Sequence, residues 1–385
     1  MLRFLGAGES HGKGIATVVE GLPYGVPVSG VCIEKELARR RLGYGRSGRM
    51  KLEGDRVEIW GGVRCGITLG SPVAMLVMNA EYDKWKEVMP VEGASTGDPL
   101  TGLRPGHADL AGALKYGTRD LRDVLERASA RETVGRVCAG TLARGLLAEL
   151  GVAIRSHVLE VGGVKADGTD TYPSAEVMSR SDDDAMRCLD AEASRLMCEE
   201  VDRARDDGDS LGGVFEVAAY GLPAGLGSHV HWDRRLDGRL AAAVMSIQAV
   251  KGVEIGGGFG LAEMRGSAAS DAIYHNRERG FYHGSNNAGG LEGGMSNGEI
   301  VVVRAAMKPI PTLASPLDSV DLASKKEVKA SVERSDVCAV PAAAVIAEAV
   351  VSFVLADALL EKTGGDSLAE IRARYEEIIR GHKGF

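Results

Sequence analysis

The chain predicts an α+β fold, with antiparallel sheets packed around a helical core, on three observations. Strand-like and helix-like runs alternate irregularly, without the steady β-α-β rhythm of a doubly wound sheet. Hydrophobic residues make up 44% of the 385 positions, enough to bury a large core. The 52 glycines are roughly twice the average share and follow no G-X-Y period, so they mark tight turns and close backbone approaches.

The elements follow in order. Residues 15–20, Ile-Ala-Thr-Val-Val-Glu, read as a strand closed by the turn 21–25. Residues 34–42 form a short helix stopped by Gly43, and 57–78 alternate β-branched residues with turns, which predicts two antiparallel strands. Ser129-Ala130-Arg131-Glu132 has the S-x-x-E form of a capping box, and Val134, Cys138, Leu142 and Leu146 then follow at helical spacing to Gly151. Strands are expected at 214–220 and 300–307, and a helix at 233–248 with Leu236, Leu240, Val244 and Ile247 on one stripe. A last long helix runs from Pro341, at its N1 position, to about Leu360, with Gly364 beyond its end. Residues 167–184 are the most linker-like stretch, but no repeat or Pro/Ser linker divides the chain. One domain spanning 1–385 is expected, with a helical C-terminal tail from about 364.

The charge balance of 46 Lys+Arg against 54 Asp+Glu, net −8, excludes a general nucleic-acid or anionic-membrane surface, so any anion site must be local. Six scattered cysteines with no CxxC pair fit reduced thiols and no zinc ribbon. Glu9 and His11 interrupt the N-terminal apolar stretch too soon for a signal peptide, and Glu348 and Asp357 make the 341–360 segment a core helix. A cytoplasmic protein is expected.

Two histidines sit in glycine-punctuated polar turns: His11 in Gly8-Glu9-Ser10-His11-Gly12 and His107 in Arg104-Pro105-Gly106-His107-Ala108-Asp109. Such turns bring an imidazole close to a ligand, and imidazole exchanges a proton near neutral pH. The first turn is not a phosphate-binding Walker loop, because Gly14 stands where Ser/Thr would hold magnesium and a strand follows where a helix is required. Residues 39–51 carry six cations, among them Arg40, Arg46 and Arg49, and no acid. Arginine's planar fork suits phosphate and carboxylate there, although a solvated run favouring the helix dipole would look the same. Arg127-Ala128-Ser129 leads into a helix N-terminus, a ready anion site; capping alone accounts for Ser129 and Glu132, but not for Arg127 and Arg131.

The run 286–298, with paired asparagines and glycines, reads as a backbone surface shaped to lie against a flat ligand, or else as a surface loop. Asp336 in Arg334-Ser335-Asp336 is either a base held by Arg334 or a surface ion pair. His229 and His231 fall on one face of a strand, but no third ligand is signalled nearby and no metal is expected.

Together these motifs resemble the chorismate synthase family. The resemblance is carried by Gly8 to Gly12, Gly45-Arg46 through Arg49-Met50, Thr68-Leu69-Gly70-Ser71-Pro72, Arg104 to Asp109, Arg127 to Thr133, Asp209-Ser210-Leu211-Gly212-Gly213, and the runs 286–298 and 334–340, in the family's order. The one notable departure is Ile67 in Gly66-Ile67-Thr68. The resemblance implies a β-α-β sandwich assembling as a homotetramer. It implies a lyase that eliminates phosphate and the C6 proton of 5-enolpyruvylshikimate 3-phosphate in anti 1,4 fashion to give chorismate, the last step of the shikimate pathway. The family depends on reduced FMN without net redox change: the flavin lends an electron transiently and then receives the hydrogen from C6, so the cofactor carries the hard chemistry.

Carried over by motif, His11 is the acid near the departing phosphate, and Ser10 and Ser129 are further catalytic residues. His107 protonates or polarises the reduced flavin, and Asp336 relays the C6 proton. Flavin contacts are expected from Arg127, Ala128, Ser129, Gln248, Ala249, Gly293, Lys308, Pro309, Ile310, Pro311, Thr312 and Arg334. Arg40 and Arg46 match positions for a nicotinamide nucleotide or for the substrate's anionic groups, and Arg49 and Arg104 are further substrate candidates. No flavin-reductase region is legible in the sequence, so reduced FMN is expected from an external reductase, with NADPH as indirect reductant. Two competing readings are a metal-dependent hydrolase using His229 and His231 and a non-catalytic flavin- or phosphate-binding module.

Overall fold

A computed structural model describes residues 1–48, 54–167, 172–333 and 335–385. The strand Gly14–Glu20 turns Ile15, Thr17 and Val19 inward and Ala16 and Val18 outward, the period of a half-buried strand. It pairs antiparallel with Arg3–Ala7 on one side and Val73–Met78 on the other, and Val57–Gly61 completes a four-stranded sheet. A second, five-stranded antiparallel sheet runs in the order Val250–Ile255, Val301–Met307, Gly213–Tyr220, Ala153–Val161 and Val164–Lys165.

Helices fill the space between the sheets. Thr133–Ala148 packs on the four-stranded sheet, Val340–Thr363 on the five-stranded one, and the two helices pack on each other. Val340–Thr363 is apolar almost all round and buried along most of its length, as a central helix must be. It is the one helix among the described residues long and apolar enough to cross a membrane, and 83% of its apolar window is buried inside the fold. Gly140 lets the two helices meet, since a Cβ there would fall 2.4 Å from the Cβ of Ala349. The C-terminal helix Leu368–Gly384 starts on a capping box of Ser367 and Glu370 and docks through Ile371 and Tyr375, whose hydroxyl donates to Gly221 O at 3.0 Å.

Several local expectations are corrected. Residues 57–78 form four strands, not two, because Gly62 and Gly66 turn the chain at φ +83 and +76; the short strands Val63–Arg64 and Ile67–Leu69 join Tyr24–Pro27 in a separate sheet. Ser129 is not half of a capping box. Its Oγ accepts from Arg131 N at 3.3 Å over a single 3-10 turn, and the Glu132 carboxylate is drawn to Arg136 and Gln248 instead. The helix expected from 233 spans only Leu236–Met245, and the one expected from 34 starts at Gly30, after Ser29. His229 and His231 lie in a bend and not on a strand, and His231 Nδ1 pairs with Asp233 at 2.8 Å. Within 286–298, Gly289 and Gly290 serve the chain's own backbone: a Cβ at Gly289 would lie 2.4 Å from Gly256 Cα, and one at Gly290 2.5 Å from Ile300 O, whereas one at Gly293 or Gly298 would meet nothing closer than 4.0 Å.

Candidate active site

The two central helices begin side by side at one end of the sandwich, where Thr133, Ala339, Ala342 and Ala343 line a cavity of about 410 Å³. Neither helix has an acidic residue in its first turn, and Glu132, which caps the first, is paired with Arg136, so two positive helix ends face this space. Loops from distant parts of the chain close it. They bring together Ser10, His11, Arg40, Arg46, Arg104, His107, Ala128, Ser129, Gln248, Ala249, Lys308, Ile310, Pro311, Thr312 and Asp336, all expected from the sequence.

Each arginine is held by a carboxylate. Asp55, fully buried, accepts from Arg40 Nη2 at 3.0 Å and Arg131 Nη1 at 2.6 Å. Burial alone would raise its pKa; the two guanidinium groups outweigh that and hold it below the usual carboxylate value. Arg46 Nη1 stands 2.9 Å from Asp336 Oδ2, and the Ser47 N–H donates to Asp336 Oδ1 at 2.6 Å. The Asp336 carboxylate is thus oriented by Arg46 and a backbone N–H, whereas the sequence suggested Arg334, which lies outside the described residues, as does Arg49.

The two histidines sit in unlike settings. His11 Nδ1 lies 2.8 Å from Glu126 Oε1, its backbone N–H donates to Glu126 Oε2 at 2.7 Å, and the Trp85 ring covers it at 4.0 Å between centroids. Asn79 Nδ2 pins the same turn through Ser10 O at 2.9 Å, and Ser129 Oγ donates to Ser10 Oγ at 3.2 Å. His107 Nδ1 contacts Asp109 Oδ1, while Arg104 grips both Asp109 oxygens, at 2.8 and 3.0 Å. Burial opposes ionisation of Asp109, but the hydrogen bonds from His107 and Arg104 bring its pKa down to about 2.

The opposite wall carries Gln248, Ala249 and Lys308. Ala249 adopts φ +66, a left-handed conformation costly for a residue with a Cβ. Lys308 Nζ donates to Gly106 O at 3.1 Å, and burial together with Lys251 lowers its pKa. Three expected contacts do not line the cavity of this chain: Arg127, whose exposed guanidinium donates to Gly8 O and Gly6 O at 3.0 and 2.8 Å, Pro309, and Gly293 at the tip of a hairpin. Sequence reasoning missed Glu126, Asp109, Asp55 and Glu333. Only Asp109 carried a signal, two residues after His107 in the same turn.

A cavity with five lining cations, two helix N-termini and two carboxylate-backed imidazoles defines an enzyme that moves protons on a small polyanion. The chorismate synthase family profile matches residues 2–360. The chain belongs to the chorismate synthase family. It is 58% identical to the chorismate synthase of Desulforudis audaxviator over 388 aligned residues, covering 100% of this chain and 99% of the relative. It is 56% identical to that of Moorella thermoacetica, covering 97% of each. A crystal structure of chorismate synthase superposes with a TM-score of 0.82 at 41% identity, covering 100% of this chain and 99% of that one, and bears out the α+β expectation.

Proposed function

We propose that this cavity is where the chain performs the family's reaction, the elimination of phosphate from 5-enolpyruvylshikimate 3-phosphate to give chorismate. One observation carries the assignment: the cations and both histidines, drawn from segments as far apart in the chain as His11 and Lys308, converge on a single space that fits a small polyanion. Arg40, Arg46, Arg104 and Arg131 bind the phosphate and carboxylates, since fixed guanidinium forks match those groups. Arg49 is a further candidate from outside the described residues.

His11, beside Ser10 and Ser129, donates a proton to the departing phosphate. Asp336, oriented by Arg46 and the Ser47 N–H, takes part in moving the C6 proton. His107 serves the cofactor, with Asp109 fixing its ring.

The wall fits a flavin: Gln248 Oε1 is buried and accepts no hydrogen bond among the described residues, which leaves it ready for a ligand N–H. Ala128, Ser129, Gln248, Ala249, Lys308, Ile310, Pro311 and Thr312 would hold the group, joined by Arg334. Arg127, Pro309 and Gly293 would reach it only from positions off this cavity. Reduced FMN, when bound, supplies the transient reducing equivalent that assists phosphate loss with no net redox change. An external flavin reductase drawing on NADPH, a homotetrameric assembly and a cytoplasmic setting complete the reading.

Anaerobic phosphate release from 5-enolpyruvylshikimate 3-phosphate tests it. Turnover is expected with reduced FMN and not with oxidised FMN. Equal turnover with both, or none with either, refutes the assignment; activity that survives flavin removal but not chelation would favour a hydrolase at His229 and His231.

A further inference from the structure

Glu126 is the one carboxylate at the site that no arginine grips among the described residues. Its side chain is 2% exposed, and both of its oxygens are given to a single neighbour, Oε2 to the His11 backbone N–H at 2.7 Å and Oε1 to His11 Nδ1 at 2.8 Å. Its carbonyl accepts from the Ser10 N–H at 3.0 Å, so residue 126 fixes the turn and the ring together. The next residue, Arg127, ties down the carbonyls of Gly6 and Gly8, and the 122–128 helix end thereby clamps the whole approach to His11.

An ionised carboxylate can only accept, so the hydrogen between Glu126 and His11 belongs to Nδ1. That leaves Nε2 as the nitrogen that gains and loses a proton. We propose that Glu126 is the positioning residue of His11: it locks the Nδ1–H tautomer, aims Nε2 as the proton donor, and supplies the negative charge that stabilises the imidazolium before transfer. The inference rests on the reading of His11 as the acid at the phosphate. In the step itself the Nε2–H bond breaks, an O–H bond forms on the departing phosphate, and the ring returns to neutral with Nδ1–H still held by Glu126.

Carboxylates that orient a metal-ligating histidine through its second nitrogen are worth about 10- to 100-fold, and the same scale is taken for this ring. Glu126→Gln keeps the shape but places an amide donor against one of two donors. It is expected to lower kcat by about 10- to 100-fold, with KM and the FMN dissociation constant unchanged. Glu126→Asp, which restores the charge and both acceptors, is expected to recover part of the loss. In a His11→Ala background, Glu126→Gln should cost nothing further, because the residue acts through the ring that has been removed. Nitrogen-15 spectra of histidine-labelled enzyme, with His11 assigned from the His11→Ala variant, should show the Nδ1–H tautomer.

An Nε2–H tautomer in the parent enzyme, or an equal loss from Glu126→Gln in both backgrounds, overturns the proposal while leaving His11 catalytic. Full turnover by His11→Ala would instead overturn the reading of His11 itself. Thermal unfolding of each variant separates these outcomes from a failure to fold.

Discussion

Asp55→Asn isolates the resting charge balance of the cavity. The parent carboxylate is fully buried and bridges Arg40 and Arg131, themselves 4% and 5% exposed, so asparagine removes the negative charge that these two buried guanidinium groups share. Breaking a buried pair on one side costs about 3–5 kcal/mol. At about 2.1 cal/mol/K per residue over 385 residues, each kcal/mol moves the melting temperature by about 1.2 °C, so the ligand-free variant should melt about 4–6 °C below the parent. A phosphate-bearing substrate brings the missing negative charge to the same two arginines. Adding 5-enolpyruvylshikimate 3-phosphate should therefore raise the melting temperature of Asp55→Asn by more than it raises the parent's. Differential scanning fluorimetry with and without substrate reads both effects. An unchanged ligand-free melting temperature, or a substrate shift no larger than the parent's, would refute the assignment of Asp55 as the counter-ion of a substrate-binding pair.

His11→Ala and His107→Ala should each lose about 10²- to 10⁴-fold in turnover while binding FMN normally; unchanged phosphate release by both would demote them to structural turns. Gly140→Ala forces a methyl to within 2.4 Å of Ala349 Cβ and 2.5 Å of its Cα and O, an overpacking expected to cost about 1–3 kcal/mol, read as a lower urea midpoint with FMN affinity unchanged. Acid stability follows from the carboxylates whose folded pKa is depressed. Asp109 titrates at about 2 against an ordinary 3.8, so its contribution is complete above that ordinary value and is lost as pH falls through about 2. Asp55, Asp182 and Glu348 are shifted in the same direction, burial opposing and their arginine partners prevailing. Urea midpoints should fall across that acid range, and fall less in Asp109→Asn; an equal fall in both would remove Asp109 from the account.

What the sequence disclosed depends on how local each signal is. The Val340–Thr363 helix was legible from Pro341 at its start and Gly364 at its end, both read within a few residues of the element they bound. His11 and His107 were legible because glycine framing is a neighbour effect. Glu126 was not, since its partner lies 115 residues away and only tertiary packing joins them. Asp55 was equally silent: a single acid after a basic run has no sequence mark that it will be buried between arginines 40 and 131. The glycines of 286–298 were ambiguous for a different reason. A Cβ-free surface serves a ligand and a crossing strand alike, and composition cannot tell Gly289 against Gly256 from a glycine against a flat ring.

The two histidines were alike in sequence and differ in how their carboxylates are shared. Asp109 divides its two oxygens between His107 and a bidentate Arg104. Glu126 gives both oxygens to His11 alone. The first arrangement ties ring and guanidinium to one shared carboxylate; the second commits a whole carboxylate to the orientation of one ring. The same logic explains how an acidic chain of net charge −8 holds a polyanion. The arginines are buried because carboxylates compensate them at rest. The positive potential offered to the ligand then comes from the ends of the Thr133–Ala148 and Val340–Thr363 helices, which carry no acid in their first turns.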